Sequence, residues 1–286
     1  MSALTHLLVD KGIAQVESPF SSAFLAELNV AIDGVFKDRQ DEARAYVHYD
    51  DLARLGLLQP MLTGRMRELL TAIVPDPVLY HCHVYEIAGN NTSSHIFGET
   101  LGGWHKDPDS AFDGSTATHV SIFLYLSDVG PEDGPFEFCP QLPDKWLRNS
   151  SPAISVTGDR NYCFAWNRAF FHRAAPNRGP KRRRLLKLSI QPNRFPNMHM
   201  PSERFEAVRR MLPEGDPYLD ILLGRYLGRA APETEFASVE AIAVAPTGAL
   251  GIPDATILKT IARDKARAAR RWLKGQSAES AIVPYD

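Results

Sequence analysis

Thr118-His119-Val120-Ser121-Ile122-Phe123-Leu124-Tyr125-Leu126, the turn cluster Gly130-Pro131-Glu132-Asp133-Gly134-Pro135 and then Phe136-Glu137-Phe138-Cys139 set the pattern that decides the fold. β-branched and aromatic residues run up to a Gly/Pro break and resume at once, the mark of successive strands joined by tight turns. The pattern extends in both directions, over Val78–Ile87, Tyr162–Trp166 and Arg183–Gln191, with turns at Gly89-Asn90-Asn91, Gly114-Ser115, Gly158-Asp159 and Asn177-Arg178-Gly179-Pro180. No helical period alternates with these strands, so a sandwich or jelly roll is expected rather than a doubly wound sheet.

Helices are expected on either side. Phe24, Leu25, Leu28, Ile32 and Val35 recur at helical spacing behind a Ser21 or Ser22 cap, in a segment ending at Phe36. A second helix is expected over Leu62–Val74, stopped by Pro75 and Pro77, with a short edge strand near Gly12–Val16. Beyond Pro201, Ser202–Leu212, Pro217–Leu227 and about 254–274 read as amphipathic helices. The chain is therefore expected to be one domain, mainly β with flanking helices: 1–77 helical support, 78–195 jelly-roll core and 196–286 helical extension, with a homodimer contact assigned to the last helices.

The 286 residues carry a net charge of −2, with 44% hydrophobic and 23% charged residues, which excludes wholesale disorder. The balance points to neither nucleic acid nor an anionic membrane, and the basic tail from Lys259 to Lys274 reads as a solvated helix face. No apolar run is long enough to cross a bilayer, and Met1–His6 lacks a secretory n-region. Three scattered cysteines, Cys82, Cys139 and Cys163, imply no disulfide framework, so a cytoplasmic setting is expected.

Chemistry concentrates in Gly102-Gly103-Trp104-His105-Lys106-Asp107-Pro108. On a strand, His105 and Asp107 project to one face and Pro108 ends the ladder beside them. An imidazole and a carboxylate there are two thirds of a facial triad for non-haem Fe(II), and His172 in Phe170-Phe171-His172-Arg173-Ala174-Ala175-Pro176-Asn177 supplies a third ligand. Three such ligands leave positions open for a 2-oxoacid and dioxygen. The run Lys181-Arg182-Arg183-Arg184-Leu185-Leu186-Lys187 offers a cation for a distal carboxylate, though most of it reads as a basic edge that discourages aggregation. Alternation puts Lys181, Arg183, Leu185 and Lys187 on one face and Arg182, Arg184 and Leu186 on the other.

This order of His-x-Asp, distal His and basic strand resembles the phytanoyl-CoA dioxygenase (PhyH) family of Fe(II)/2-oxoglutarate oxygenases. Phe123–Val129, Asp133-Gly134-Pro135-Phe136, Gly158-Asp159 and His172–Arg178 fall in that family's order, over about residues 10 to 195. The resemblance implies a double-stranded β-helix (jelly roll, cupin-like) core and Fe(II) on His105, Asp107 and His172. It also implies O2 as oxidant and 2-oxoglutarate anchored by the arginine eleven residues beyond the distal His, here Arg183, with Arg182 and Arg184 as alternatives. Because Asp107 is present, the resemblance implies hydroxylation or a related oxidation of a small molecule rather than halogenation. Phe138-Cys139-Pro140-Gln141-Leu142-Pro143 departs from the family's usual turn, so the substrate rim has diverged.

Two rival readings stand beside this one. His81, His83 and Tyr85 share a strand face, and His81-x-His83 with Glu86 is similar to a cupin metal set, which would suit an isomerase. The other rival is a jelly-roll binding protein without turnover. Trp104 and Trp166 flank the proposed ligands as pocket wall or core, the loop 90–96 is a candidate lid, and Cys139 and Cys163 read as small core residues.

Overall fold

A computed structural model describes residues 3–74, 76–91, 104, 119–139, 153–193, 202–225, 241–242 and 248–250. Its strands are β1 (Ile13–Val16), β2 (Arg44–His48), β3 (Pro77–Ile87), β4 (Val120–Tyr125), β5 (Phe136–Phe138), β6 (Ala153–Val156), β7 (Cys163–Asn167), β8 (His172–Ala174), β9 (Arg183–Pro192), β10 (Ala241–Ile242) and β11 (Gly248–Leu250). They form a seven-stranded sheet, β10-β1-β7-β4-β9-β3-β2, and a four-stranded sheet, β11-β6-β5-β8, with antiparallel pairing throughout.

Side-chain alternation divides the large sheet into two chemically distinct faces. Val47, Val84, Leu186, Leu124 and Cys163 point outward into a core built with Leu25, Leu28, Ile32 and Phe36 of α2 (Ser22–Phe36), and with Leu69 and Leu70 of the helix Gly64–Ile73. Tyr85, Leu185, Tyr125, Phe123, Phe164 and Trp166 point inward, where Phe136, Phe138 and Val156 of the small sheet meet them. Tyr125 links the two sheets, its hydroxyl donating to Val156 O at 2.6 Å and accepting from Phe136 N at 3.2 Å.

The Ser21 cap forms as expected, accepting from Phe24 N at 3.2 Å. Other expectations are corrected. The first 77 residues hold β2 in addition to the expected β1 and helices, and β1 is an interior strand between β7 and β10 rather than an edge. The extension beyond 196 adds β10 and β11, one to each sheet, beside the helices Ser202–Arg209 and Pro217–Leu222. The basic helix at 254–274, with its dimer contact, lies outside the described residues. Among the described residues no helix is long and apolar enough to cross a membrane.

The basic run is likewise no edge, because β9 lies between β4 and β3. Its outward arginines are neutralised by Glu86, 3% exposed, which accepts from Arg182 Nε and Arg184 Nε at 2.7 Å each. Arg184 also reaches Asp33 of α2 at 2.6 Å. Removing one member of a buried ion cluster leaves the others uncompensated. Glu86→Gln is therefore expected to destabilise the fold by about 3 kcal/mol, measured by urea denaturation. A loss below about 1 kcal/mol would contradict this role.

Candidate active site

Two of the four proposed site residues are described, His172 and Arg183. His105 and Asp107 lie outside the described residues, as do 92–96 of the candidate lid and 140–143 of the divergent turn. His172 opens β8, pairs with Phe138 and is 6% exposed. Its ring is 4.3 Å from that of Trp166 and 5.8 Å from that of Phe136, so it faces the cleft between the sheets. Nδ1 is 3.0 Å from Phe170 O. A carbonyl can only accept, so Nδ1 carries a proton, and the neutral ring then has its lone pair on Nε2, the tautomer a metal-binding histidine needs.

Its neighbour in sequence points the other way. Arg173 Nε donates to the buried Glu137 carboxylate at 2.6 Å, and its guanidinium lies 4.7 Å from the Trp104 ring centroid. Trp104 is 2% exposed and clusters with Cys139, Ala153 and Phe171. Burial raises the Glu137 carboxyl above its ordinary value, with Arg173 opposing that shift. Trp104 is thus a buried anchor, held beside the residue that follows His172.

Arg183 is 1% exposed and points inward. One Nη donates to Gly134 O, Nη2 donates to Tyr85 Oη at 2.8 Å, and Nε has no partner. Gly134 lies in the left-handed region at φ 71°, with Ala175 O 3.0 Å from where a Cβ would sit, so this carbonyl is presented by a turn that favours glycine. Glu86 is the one carboxylate on the seven strands of the large sheet, and it faces the helices. Among the described residues Arg183 has no ion-pair partner, whereas Arg182 and Arg184 share Glu86 on the opposite face. A buried guanidinium without a carboxylate is costly unless a ligand supplies one.

Of the rival metal set, His81 and His83 share the inward face, their rings 5.8 Å apart, but Glu86 points away and is held by the two arginines. Among the described residues no three His, Cys, Asp or Glu side chains are placed to hold a metal. The cysteines are no rivals either. All three are buried, burial pushes the Cys82 thiol up to about 12, and it raises Cys139 and Cys163 as well.

Sequence reasoning missed Arg44 and Tyr46 on β2, although Arg44-Ala45-Tyr46-Val47-His48 alternates polar and apolar residues as a half-buried strand does. It also missed buried Arg168, whose Nη1 donates to Ser189 Oγ at 3.0 Å and Ser121 Oγ at 3.3 Å.

No family model and no curated protein matches the chain. Solved structures do. One is the non-heme alpha ketoglutarate dependent epimerase SnoN from nogalamycin biosynthesis, with TM-score 0.50 and 16% identity over 69% of this chain and 90% of that one. AviO1 from Streptomyces viridochromogenes Tue57 gives 0.54 and 15%, over 69% and 97%. EctD from S. alaskensis, solved with 2-oxoglutarate and 5-hydroxyectoine, gives 0.51 and 14%, over 68% and 77%. The core is a double-stranded β-helix. At these identities the likeness speaks for the fold, and what the cleft does has to be argued from its own residues.

Proposed function

We propose that the protein is an Fe(II)/2-oxoglutarate-dependent oxygenase of the PhyH kind that hydroxylates, or otherwise oxidises, a small organic molecule. The observation that carries the reading is Arg183: a buried inward cation, eleven residues after a buried inward histidine, with an unpaired Nε and no carboxylate partner among the described residues. A five-carbon 2-oxo diacid fits that donor set, its far carboxylate meeting the guanidinium fork. SnoN's stated dependence on alpha ketoglutarate and the 2-oxoglutarate in EctD support the same co-substrate on this fold.

The iron ligands in this reading are His105, Asp107 and His172. His172 fits through its tautomer. His105 follows Trp104, whose Cα is about 3.8 Å away along the chain, and Trp104 packs against Arg173, the neighbour of His172. That contact supports bringing the His-x-Asp segment to the edge of β8. When bound, the iron and 2-oxoglutarate would supply the oxidising power, taking up dioxygen and releasing succinate and carbon dioxide.

The chain's own work is binding, orientation and exclusion of water. Phe170 O fixes the His172 ring. Gly134 O and Tyr85 Oη aim the Arg183 fork. Trp166, Phe136, Phe123 and Phe164 form a buried aromatic cluster on the inward face, with ring centroids 4.7–5.6 Å apart.

Purified protein given Fe(II), 2-oxoglutarate and ascorbate in air is expected to release succinate slowly without added substrate. This output separates the oxygenase from a binding protein or a cupin-type isomerase. No succinate above a metal-free control, with added metabolite mixtures or without, would contradict the proposal.

A further inference from the structure

The short connection Arg168-Ala169-Phe170-Phe171 carries the chain from β7 to His172 at the head of β8. Asn167, 1% exposed, closes it into a turn. Its side-chain Oδ1 accepts from Ala169 N at 3.1 Å, and its backbone carbonyl accepts from Phe170 N at 3.3 Å. Folded in this way, the connection presents the Phe170 carbonyl to His172 Nδ1, 3.0 Å away.

The same turn is held from the N-terminal side, by the link between the helix Ala3–Asp10 and β1. Asn167 N donates to Gly12 O at 2.8 Å, and Asn167 Nδ2 donates to Leu8 O at 3.4 Å. Gly12 lies in the left-handed region at φ 76°, and a Cβ there would meet Cε1 and Cζ of the buried Phe170 ring at 2.9 Å. Glycine alone permits both that backbone conformation and that approach of the ring. The next residue, Ile13, pairs with Trp166, whose ring is 4.3 Å from that of His172. Two routes therefore run from one N-terminal turn to the imidazole, through the Phe170 carbonyl and through the Trp166 ring.

We propose that Gly12 and Asn167 are positioning residues for His172, fixing the direction of its ring and the tautomer that puts the lone pair on Nε2. This inference rests on the oxygenase reading and deepens it, because it extends the support of a metal ligand to a turn near the N-terminus. Groups that orient a ligating histidine act on metal affinity as well as on turnover, since a misaimed lone pair makes a weaker bond.

The tautomer of His172 in the metal-free protein and its Co(II) affinity test the proposal together. Ring nitrogen NMR of histidine-labelled protein at about pH 8, where an ordinary imidazole is neutral, reads the tautomer. The His172 signal is assigned by its loss in His172→Gln. The parent ring is expected to carry its proton on Nδ1. Gly12→Ala and Asn167→Ala are each expected to move it toward a mixture of both tautomers and to weaken Co(II) binding about 10-fold. Asn167→Ser, whose hydroxyl can still accept from Ala169 N, should recover part of both. Gly56→Ala is the control for backbone strain alone: Gly56 has φ 71° but nothing within 4 Å of where a Cβ would sit. It should lower the melting temperature and leave both readouts at parent values.

Parent tautomer and parent Co(II) affinity in a folded Gly12→Ala or in Asn167→Ala would overturn the inference and leave the oxygenase reading standing. So would a parent ring protonated on Nε2, or an equal loss of affinity in Gly56→Ala. Should Gly12→Ala not fold, the two Asn167 variants give the answer. A parent that binds no Co(II) and forms no succinate would overturn the oxygenase reading itself, and this inference with it.

Discussion

His172→Ala is expected to abolish metal-dependent succinate formation, lowering it by about 10³-fold or more to the level of the metal-free control. In the proposed reading His172 is one of three metal ligands, so its loss would delete a metal bond that the remaining two ligands cannot replace. The same change opens a cavity beside Trp166 and Phe136, at a cost of about 2 kcal/mol. Activity and stability must therefore be read together. His172→Gln, which fills more of the cavity, should recover part of the stability and none of the activity. Succinate formation within about 10-fold of the parent in either variant would remove His172 from the metal site.

Arg183→Met should raise the 2-oxoglutarate KM by about 10² to 10³-fold. Charge-assisted hydrogen bonds contribute about 1.5–3 kcal/mol each, and a guanidinium fork makes two of them to a carboxylate. The stability of the ligand-free protein should move the opposite way. Without a diacid, Arg183 is a buried cation whose acceptors are a carbonyl and a phenol, Gly134 O and Tyr85 Oη. Methionine fills similar space without that desolvation cost, so the metal-free variant is expected to melt at or above the parent temperature. A Tm well below the parent, with an unchanged KM, would make Arg183 a structural residue. An unchanged KM on Arg182→Met or Arg184→Met is expected as well, because both side chains serve Glu86 on the outer face.

Much of this arrangement was legible before any coordinates, for reasons that differ by element. Val120–Tyr125 and Arg183–Pro192 were legible because their composition and turn boundaries report burial in a sheet interior. The two faces of the basic run were legible because strand alternation has no freedom: once Arg183 points inward, Arg182 and Arg184 cannot. Their partner was not legible, since Glu86 is 96 residues away from Arg182 and a carboxylate on β3 gives no sign of which strand it will face. The interior position of β1 escaped for a similar reason. A four-residue apolar stretch says nothing about its neighbours, and those are β7 and β10, about 150 and 225 residues downstream.

In the cleft, His172 and Arg183 were marked by the family resemblance, with Arg182 and Arg184 left open beside Arg183. Arg44 and Tyr46 were not, because β2 is short and was masked by the helical signal on either side. Trp104 shows the limit of local reading. Its burial was foreseeable from its type, but its contact with Arg173, the neighbour of His172, depends on a pairing of distant chain segments.

The central claim is that His105, Asp107 and His172 together hold one ferrous ion that 2-oxoglutarate then chelates. Anaerobic titration of the metal-free protein with Fe(II) and 2-oxoglutarate, followed by visible absorption, tests it most directly. The account predicts a charge-transfer band that saturates at one iron and one 2-oxoglutarate per chain and is absent in His105→Ala, Asp107→Ala and His172→Ala. The same band, at the same stoichiometry, in any of the three variants would contradict it, as would failure of the unaltered protein to develop the band at all.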